Sequence, residues 1–124
     1  MKPIILLLAF VTAAGCGHAS PGASSTLMAL RALGRAAACT SDQQCKAVAL
    51  GAKPCGGPEA YMAYSTAQSS PDKVKALAER YRKEREQENK ASGLASDCSF
   101  LMDPGAQCRA GQCQLGGANG ALVE

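Results

Sequence analysis

The alternation of apolar and polar positions predicts helices at two places along the chain. Over residues 26–38, apolar side chains recur at helical spacing, while Arg31 and Arg35 fall on another face. This pattern predicts a short amphipathic helix, in which Gly34 is an unfavourable interior residue. The apolar face consists of Leu27, Leu30, Leu33 and Ala37.

The second helical pattern is longer and has clear signals at both ends. Ser69 or Ser70 can cap its first turn, and Pro71 suits the first helical position. Gly93 favours its end. Residues 82–90 are almost all charged or amide-bearing, so most of the second half is expected to face water. The apolar face consists of Val74, Leu77, Ala78 and Tyr81.

Shorter stretches have the composition of strands and turns. The predicted segments are strands at residues 46–51, 61–67 and 96–101, a turn or single helical turn at residues 40–44, and a hairpin at residues 107–115. Gly111 lies near the tip of the hairpin. Together the elements predict an α+β domain with two or three helices packed on a short antiparallel sheet.

The beginning of the chain has the order of residues found in a secretory signal. Within residues 1–15 there is one charge, at Lys2, then an apolar run over residues 4–11 and then small residues. The run is too short to cross a membrane, because a spanning helix takes about 20 residues. Export of the chain is therefore expected.

The residues that follow the apolar run indicate how the signal is removed. Ala-Ala-Gly-Cys at residues 13–16 resembles the lipobox of bacterial lipoproteins, although Ala13 stands where Leu is usual. The resemblance implies that cleavage precedes Cys16 and that this cysteine carries a lipid, which would anchor the protein to a membrane. The alternative is ordinary signal cleavage near Ala14 or Ala19.

An odd number of cysteines in an exported chain calls for an explanation. The chain has seven, and acylation of Cys16 would leave six, which can close as three disulfides in an oxidising compartment. None has the Cys-x-x-Cys spacing and no histidine lies among them, so no metal site is expected. The six are Cys39, Cys45, Cys55, Cys98, Cys108 and Cys113.

Six cysteines allow about fifteen pairings, and the sequence alone does not choose among them. Chain geometry favours one local bridge across the hairpin and one across the short turn, because both bring cysteines close together. The remaining bridge would close a long loop around the charged helix and would stabilise the domain most. The favoured set is Cys108–Cys113, Cys39–Cys45 and Cys55–Cys98.

The sequence divides into four parts. They are a lipoprotein signal at residues 1–15, a flexible tether at 16–26, a disulfide-rich globular domain at 27–115 and a frayed tail at 116–124. The 13 Lys and Arg and 10 Asp and Glu are interspersed, unlike the clustered basic face that nucleic acid requires. Gly17 resembles the sorting signal of outer-membrane lipoproteins, which implies an outer-membrane protein facing the periplasm. A monomer is expected.

Several short motifs together resemble an uncharacterised family of small cysteine-rich proteobacterial lipoproteins. The motifs are Cys-Thr-Ser-Asp-Gln-Gln-Cys at 39–45, Pro-Cys-Gly-Gly-Pro-Glu-Ala-Tyr at 54–61, Tyr-Ser-Thr at 64–66, Ser-Asp-Cys at 96–98 and Cys-Arg-Ala-Gly-Gln-Cys at 108–113. The resemblance covers residues 39–115 and includes the long charged helix. It implies a compact, disulfide-rich envelope domain with no known activity, so no catalytic residue is carried over.

No arrangement of residues points to catalysis, and neither an enzyme nor a cofactor is expected. The only histidine, His18, lies in the tether, where nothing holds it against a nucleophile. Nothing in the spacing of Lys53 and Ser65 distinguishes a Ser–Lys pair from a loop lysine and a strand hydroxyl. Solvation rather than pairing over a cleft is expected for three carboxylates: Glu59, Asp97 and Asp103.

Binding is the more plausible class of function, and the loop around Cys55 is the candidate place. Two prolines and two glycines stiffen residues 54–58, and polar tips follow on Glu59, Tyr61 and Tyr64. Alternatively the loop only turns the chain while a tyrosine fills the core. The two tyrosines are three apart and would lie on opposite faces of a strand.

Two functions remain open at this point. The first is a membrane-anchored, non-catalytic binding or structural module that holds an envelope protein or a cell-wall component. The second is an inhibitor of an envelope protease or lysozyme that acts through the loop over residues 55–61. The charged face over residues 80–90 is a further candidate surface, for which plain solvation is the alternative.

Overall fold

The computed structural model describes residues 24–93 and 95–117. In chain order the elements are helix α1 (Ser25–Arg35), a 3-10 turn (Asp42–Gln44), strands β1 (Cys45–Leu50) and β2 (Ala60–Ser65), helix α2 (Pro71–Ser92), and strands β3 (Ala106–Arg109) and β4 (Gln112–Leu115). The α+β class is confirmed, with two α-helices. The strands form two separate two-stranded antiparallel sheets rather than the single sheet expected.

Some predictions fall on parts of the chain that the structure does not describe. The signal at residues 1–15, Cys16 and most of the tether lie outside the described residues, as does the tail from residue 118. Gly116 was expected in the frayed tail, yet it is buried and its N–H donates to the carbonyl of Gly105 at 3.0 Å. The ordered domain therefore extends at least to this glycine.

Strands β1 and β2 form the central layer of the domain. Their register pairs Cys45 with Ser65 and Leu50 with Ala60, so alternate residues face opposite sides of the sheet. One side faces the helices and the other faces the β3–β4 hairpin. As predicted, Tyr61 and Tyr64 lie on opposite sides of the sheet.

The helices cover one side of the central sheet with an apolar core. The buried members of this core are Leu30, Leu50, Ala78 and Tyr81, with Leu27, Val48, Met62 and Leu77 packed against them. Val74 is fully buried as well. The predicted apolar face of α2 and the first part of that of α1 are thus the faces that pack, and burial of their apolar area stabilises the fold. Ala37 was expected on the same face of α1, but the helix ends at Arg35 rather than at residue 38, and Ala37 lies in the core on the other side of the sheet.

The hairpin covers the other side with a core built largely of cystine. Its members are Ala37, Cys39, Cys45, Ala63 and Cys113, with Ala106, Cys108 and Leu115 around them. The chain after α1 extends this layer, because the Cys113 N–H donates to the Ala37 carbonyl and the Cys39 N–H donates to the Gly111 carbonyl, at 2.8 and 2.9 Å. The hairpin is therefore tied to the helical part by backbone as well as by sulfur.

Helix α1 begins slightly earlier than predicted and tolerates its glycine for a packing reason. It starts at Ser25, inside the predicted tether, and the Ser24 hydroxyl caps it by accepting from the Leu27 N–H at 3.1 Å. A Cβ on Gly34 would lie 2.9 Å from the Met62 sulfur. The glycine lets the helix approach β2 closely, which offsets its unfavourable propensity.

Helix α2 has the predicted ends but a less exposed second half. Pro71 is its first residue, and Gly93 ends it in the left-handed conformation with φ 61°. Ser70 precedes the helix without a side-chain capping bond. Arg85 and Asn89 in the second half do not simply face water, since both contact the loop between β1 and β2.

Two of the three favoured disulfides are wrong. The structure pairs Cys39 with Cys108 and Cys45 with Cys113, with Cα atoms 5.9 and 5.3 Å apart. Cys108 and Cys113 do lie opposite each other in the hairpin, as expected. Each bonds instead to a cysteine of the chain at or before the start of β1, which packs against the hairpin. Long-range bridges also constrain the unfolded chain more than local ones. The favoured Cys55–Cys98 bridge is present.

The predicted strand at residues 96–101 is absent. Residues 95–105 contain neither strand, turn nor bend, although they include Phe100 and Leu101, which favour strands. No strand of the described chain pairs with this stretch. Side chains and a disulfide hold residues 97–101 to the domain instead, and the Gly105 carbonyl accepts from the Gly116 N–H.

Candidate functional site

Two strongly exposed large apolar side chains lie in the irregular stretch before β3. Phe100 is 82% exposed and Met102 is 78% exposed, while Leu101 between them is half-buried. Isolated exposed apolar residues are common, but two that are separated by a single residue on a fixed backbone form a surface that can bind. Residues 97–103 are called the pinned segment below, because its inner side is fixed to the domain.

Lys53 holds the beginning of the pinned segment. Its ammonium donates to the Ser99 carbonyl at 2.9 Å and to the Ser99 hydroxyl at 2.8 Å, and lies 3.5 Å from an Asp97 carboxylate oxygen. The lysine side chain is only 14% exposed. The Ser99 N–H and hydroxyl donate to the same Asp97 oxygen, and these bonds, together with the Lys53 charge, hold the pKa of Asp97 below its usual value.

A disulfide and a tyrosine fix the segment further along. The Cys55–Cys98 bridge joins it to the β1–β2 loop, with Cα atoms 5.4 Å apart. Cys98 has φ 53°, a left-handed conformation that a non-glycine residue keeps only when its surroundings impose it. The Tyr61 hydroxyl donates to the Leu101 carbonyl at 3.5 Å.

The loop that holds the segment is itself held by α2. Residues 51–59 are called the support loop below. Its Glu59 accepts from Arg85 Nε at 2.9 and 3.2 Å, and both side chains are about a quarter exposed. Asn89 donates to the Ala52 carbonyl at 2.6 Å. The second half of α2 thus fixes the support loop, and the support loop fixes the pinned segment.

Burial and ion pairing at this contact change two pKa values. Burial raises the pKa of the Tyr81 hydroxyl above its usual value, and the negative charge of Glu59 acts in the same direction. The hydrogen bond that Arg85 donates to Glu59 raises the pKa of Arg85 above its usual value. The contact is structural in character, since every charged group in it has a partner within the protein.

The three predicted binding residues take up structural positions. Glu59 pairs with Arg85, and Tyr61 bonds to the pinned segment. Tyr64 is only 5% exposed and burial raises its pKa, so it does not present its ring to a partner. The sequence left open that one of the two tyrosines fills the core instead of meeting a partner, and Tyr64 does so.

The residues weighed for catalysis are not brought together. Ser65 is fully buried and its hydroxyl accepts from the Ala67 N–H, while Lys53 lies beyond the other end of β1. Glu59 and Asp97 have the separate partners described above. Asp103 accepts from the Gly105 N–H at 2.8 Å, and His18 lies outside the described residues.

A groove of about 520 Å³ lies between the support loop and α2. Its apolar floor includes Val48 and Ala78, and its charged lining combines Lys75, Arg82 and Glu79. Arg82 is occupied by Glu79 at 2.7 Å and by Glu86, and its hydrogen bond lowers the pKa of Glu79 to about 2. Because Arg82 is occupied by two carboxylates of its own helix, it is not free to bind a charged ligand in the groove.

Three cysteine sulfurs also lie close together on the hairpin side. Those of Cys39, Cys45 and Cys108 are all within 4.8 Å of one another. A metal binds to thiolates, whereas these sulfurs are covalently paired. The cluster therefore acts as a covalent core in this state of the protein.

Sequence reasoning missed the pinned segment because its apolar residues were interpreted as strand. A signal was present in Phe-Leu-Met at residues 100–102, an apolar run set between Cys98 and the turn-forming Asp-Pro-Gly at 103–105. Such a run in a turn-rich, disulfide-bonded stretch is as compatible with an exposed loop as with a strand.

None of the described helices combines the length and the apolar character needed to cross a membrane. No family model, curated protein or solved structure was found to match the chain. The resemblance to small lipoproteins, drawn from the motifs alone, therefore stays a prediction.

Proposed function

We propose that this protein is an exported lipoprotein anchored through Cys16, and that its domain is a non-catalytic module that binds a protein of the cell envelope. The contact surface is the pinned segment. The observation that carries the binding part is the exposure of Phe100 and Met102 on a backbone fixed by a disulfide and by Lys53, whose side chain is only 14% exposed.

Rigidity and exposure together support binding. Apolar side chains gain free energy when a partner removes them from water, at about 25 cal/mol per Å². A backbone that is already ordered loses little entropy on association. The support loop and α2 have no equally exposed large apolar side chain among the described residues, so the pinned segment is the better contact surface.

The composition of the chain supports export and anchoring. Three disulfides agree with an oxidising compartment, and they use every cysteine after the lipobox. Only Cys16 is left over, at the position where the lipid would be attached. The same domain would then be displayed on a membrane surface and free to meet other envelope proteins.

In-cell photo-crosslinking tests the binding surface. A photoreactive phenylalanine analogue at position 100 should give a discrete protein adduct after irradiation. Met28 provides the control, since it is 62% exposed but lies on α1. The analogue at position 28 should give no such adduct. Adducts of equal yield at both positions, or none at position 100, would contradict the proposed surface.

Membrane fractionation tests the anchor. Cys16→Ser should block lipid attachment and release the protein from the membrane fraction, while the intact protein stays membrane-bound. Intact mass of the mature protein provides the second readout, since its first residue should be an acylated Cys16. Unchanged membrane association of the variant, or a mature chain that begins elsewhere, would overturn this part.

A further inference from the structure

We propose that the pinned segment enters the substrate cleft of a serine endopeptidase with a deep apolar primary pocket, and that Phe100 fills this pocket. The domain would then act as a substrate-like inhibitor. This inference deepens the proposed function, on which it rests for the choice of surface. It places the inhibitory element on the pinned segment rather than on residues 55–61.

The backbone of the pinned segment has an unused outer edge. The carbonyls of Ser99 and Leu101, two residues apart, both accept bonds from side chains of the domain. Within the described residues, no hydrogen bond involves the N–H or carbonyl of Phe100 or Met102. An endopeptidase binds its substrate as an added strand and needs such free groups on the residues it contacts.

The side chains match one class of primary pocket. Phe100 is the most exposed large apolar residue of the segment and has no charge, so it suits an apolar pocket rather than one built for a cation. Lys53, a basic residue in contact with the segment, is only 14% exposed and its ammonium is occupied by Ser99. The acidic flanks, Asp97 and Asp103, disfavour insertion into an anionic membrane surface.

The anchors explain why the segment would inhibit rather than be digested. Hydrolysis after Phe100 would consume one water and leave a carboxylate on Phe100 and an amine on Leu101. Ser99 would still be held by Lys53 and the Cys98 bridge, and Leu101 by Tyr61. The new ends would stay side by side in the cleft, so release is slow and the reverse condensation, which expels the same water, is favoured.

Two purified endopeptidases test the proposal: chymotrypsin, whose primary pocket is apolar, and trypsin, whose pocket takes a cation. The exported protein, purified with its three disulfides, should inhibit chymotrypsin and leave trypsin unaffected. Phe100→Ala should weaken chymotrypsin inhibition by at least about tenfold. Met28→Ala serves as the matched control and should change nothing.

The specificity switch is the sharper measurement. Phe100→Lys should lose chymotrypsin inhibition and gain trypsin inhibition, an outcome that misfolding cannot imitate. Mass spectrometry should find the chain intact or cut once after residue 100. Inhibition that does not follow the residue at position 100, rapid digestion of the domain, or no inhibition of chymotrypsin by the unaltered protein would overturn the proposal.

The outcomes also separate this inference from the function it rests on. If position 100 crosslinks to an envelope protein while chymotrypsin is not inhibited, the endopeptidase inference is wrong and the binding surface stands. If position 100 gives no adduct in cells and chymotrypsin is not inhibited, both are wrong.

Discussion

Arg85 joins α2 to the support loop through a single partner on the loop. Its guanidinium meets Glu59 with two nitrogens, an arrangement that is stronger and more directional than a lysine contact. Glu88, one turn along the helix, pairs with the same arginine but is 65% exposed. The two glutamates therefore offer a comparison between a half-buried and a solvated partner of one cation.

Glu59→Gln should destabilise the domain by about 1–2 kcal/mol, because it removes the half-buried counter-charge of Arg85 and leaves only the solvated Glu88. Glu88→Gln should cost under about 0.5 kcal/mol, since exposed ion pairs contribute little. Urea unfolding of the oxidised proteins measures both values. Equal losses for the two variants would show that the Glu59 contact adds no more than a surface pair.

The Tyr81 hydroxyl gives the domain a pH dependence on the alkaline side. Because burial raises its pKa above 10.0, the folded state binds this proton more tightly than the unfolded state. Its contribution is complete below pH 10 and is lost as the pH rises through the raised pKa. Tyr81→Phe should remove a late fraction of the tyrosinate absorbance titration and flatten the fall in stability. A titration with unchanged late amplitude would contradict this assignment.

At the scale of elements, the features that depend on neighbouring residues were predicted correctly, whereas the features that depend on contacts between distant residues were not. Apolar spacing and end residues located α1, α2 and the hairpin, because those features depend on neighbours in sequence. The prediction of a strand at 96–101 was wrong because a strand needs a partner, and no strand of the described chain pairs with this stretch. Two of the predicted disulfide pairings were wrong because cysteines far apart in the sequence, such as Cys39 and Cys108, meet only when the layers of the domain pack together.

The candidate site was predicted only in part, for the same reason. The sequence marked the support loop through its prolines and glycines, and it paired Cys55 with Cys98 correctly. It could not show that Lys53, Tyr61 and the bridge converge on one neighbouring segment, since that depends on distances between residues far apart in the chain. Of the three residues expected to meet a partner, Tyr61 instead holds the pinned segment, Glu59 holds the support loop, and Tyr64 lies in the core.

Gly51 lets the support loop close over Glu59. Its φ is +72°, and a Cβ there would lie 2.2 Å from a carboxylate oxygen of Glu59. Gly51→Ala should therefore cost about 2–3 kcal/mol, from a strained left-handed residue and a displaced ion pair. Gly57→Ala is the control, because φ is +80° but its Cβ would meet nothing within 4 Å, and strain alone should cost about 1 kcal/mol. Similar losses in urea unfolding would mean that the Glu59 clash is relieved by local movement.

At the scale of the whole molecule, the three disulfides have different surroundings. Two of them join the hairpin to the chain around β1, over sequence separations of 69 and 68 residues, and lie in the hairpin-side core. The third joins the support loop to the pinned segment, and both of its cysteines are exposed. The first two hold the layers together, whereas the third holds the candidate site.

This difference predicts an order of reduction. With limiting reductant, Cys55–Cys98 should open first because a reductant must reach the sulfur it attacks, while Cys45 and Cys113 are only 4% and 7% exposed. Alkylation followed by peptide mapping identifies the cysteines that opened. The partly reduced domain should remain folded, though less stable by up to about 4 kcal/mol from loop closure.

The double variant Cys55→Ala with Cys98→Ala completes the test, since it removes the same bridge without any reductant. It should keep the fold and the two core bridges, yet lose the crosslink at position 100, because the pinned segment is no longer held in one conformation. Simultaneous opening of all three bridges, or earlier opening of Cys45–Cys113, would show that the layers and the candidate site are not separately stabilised.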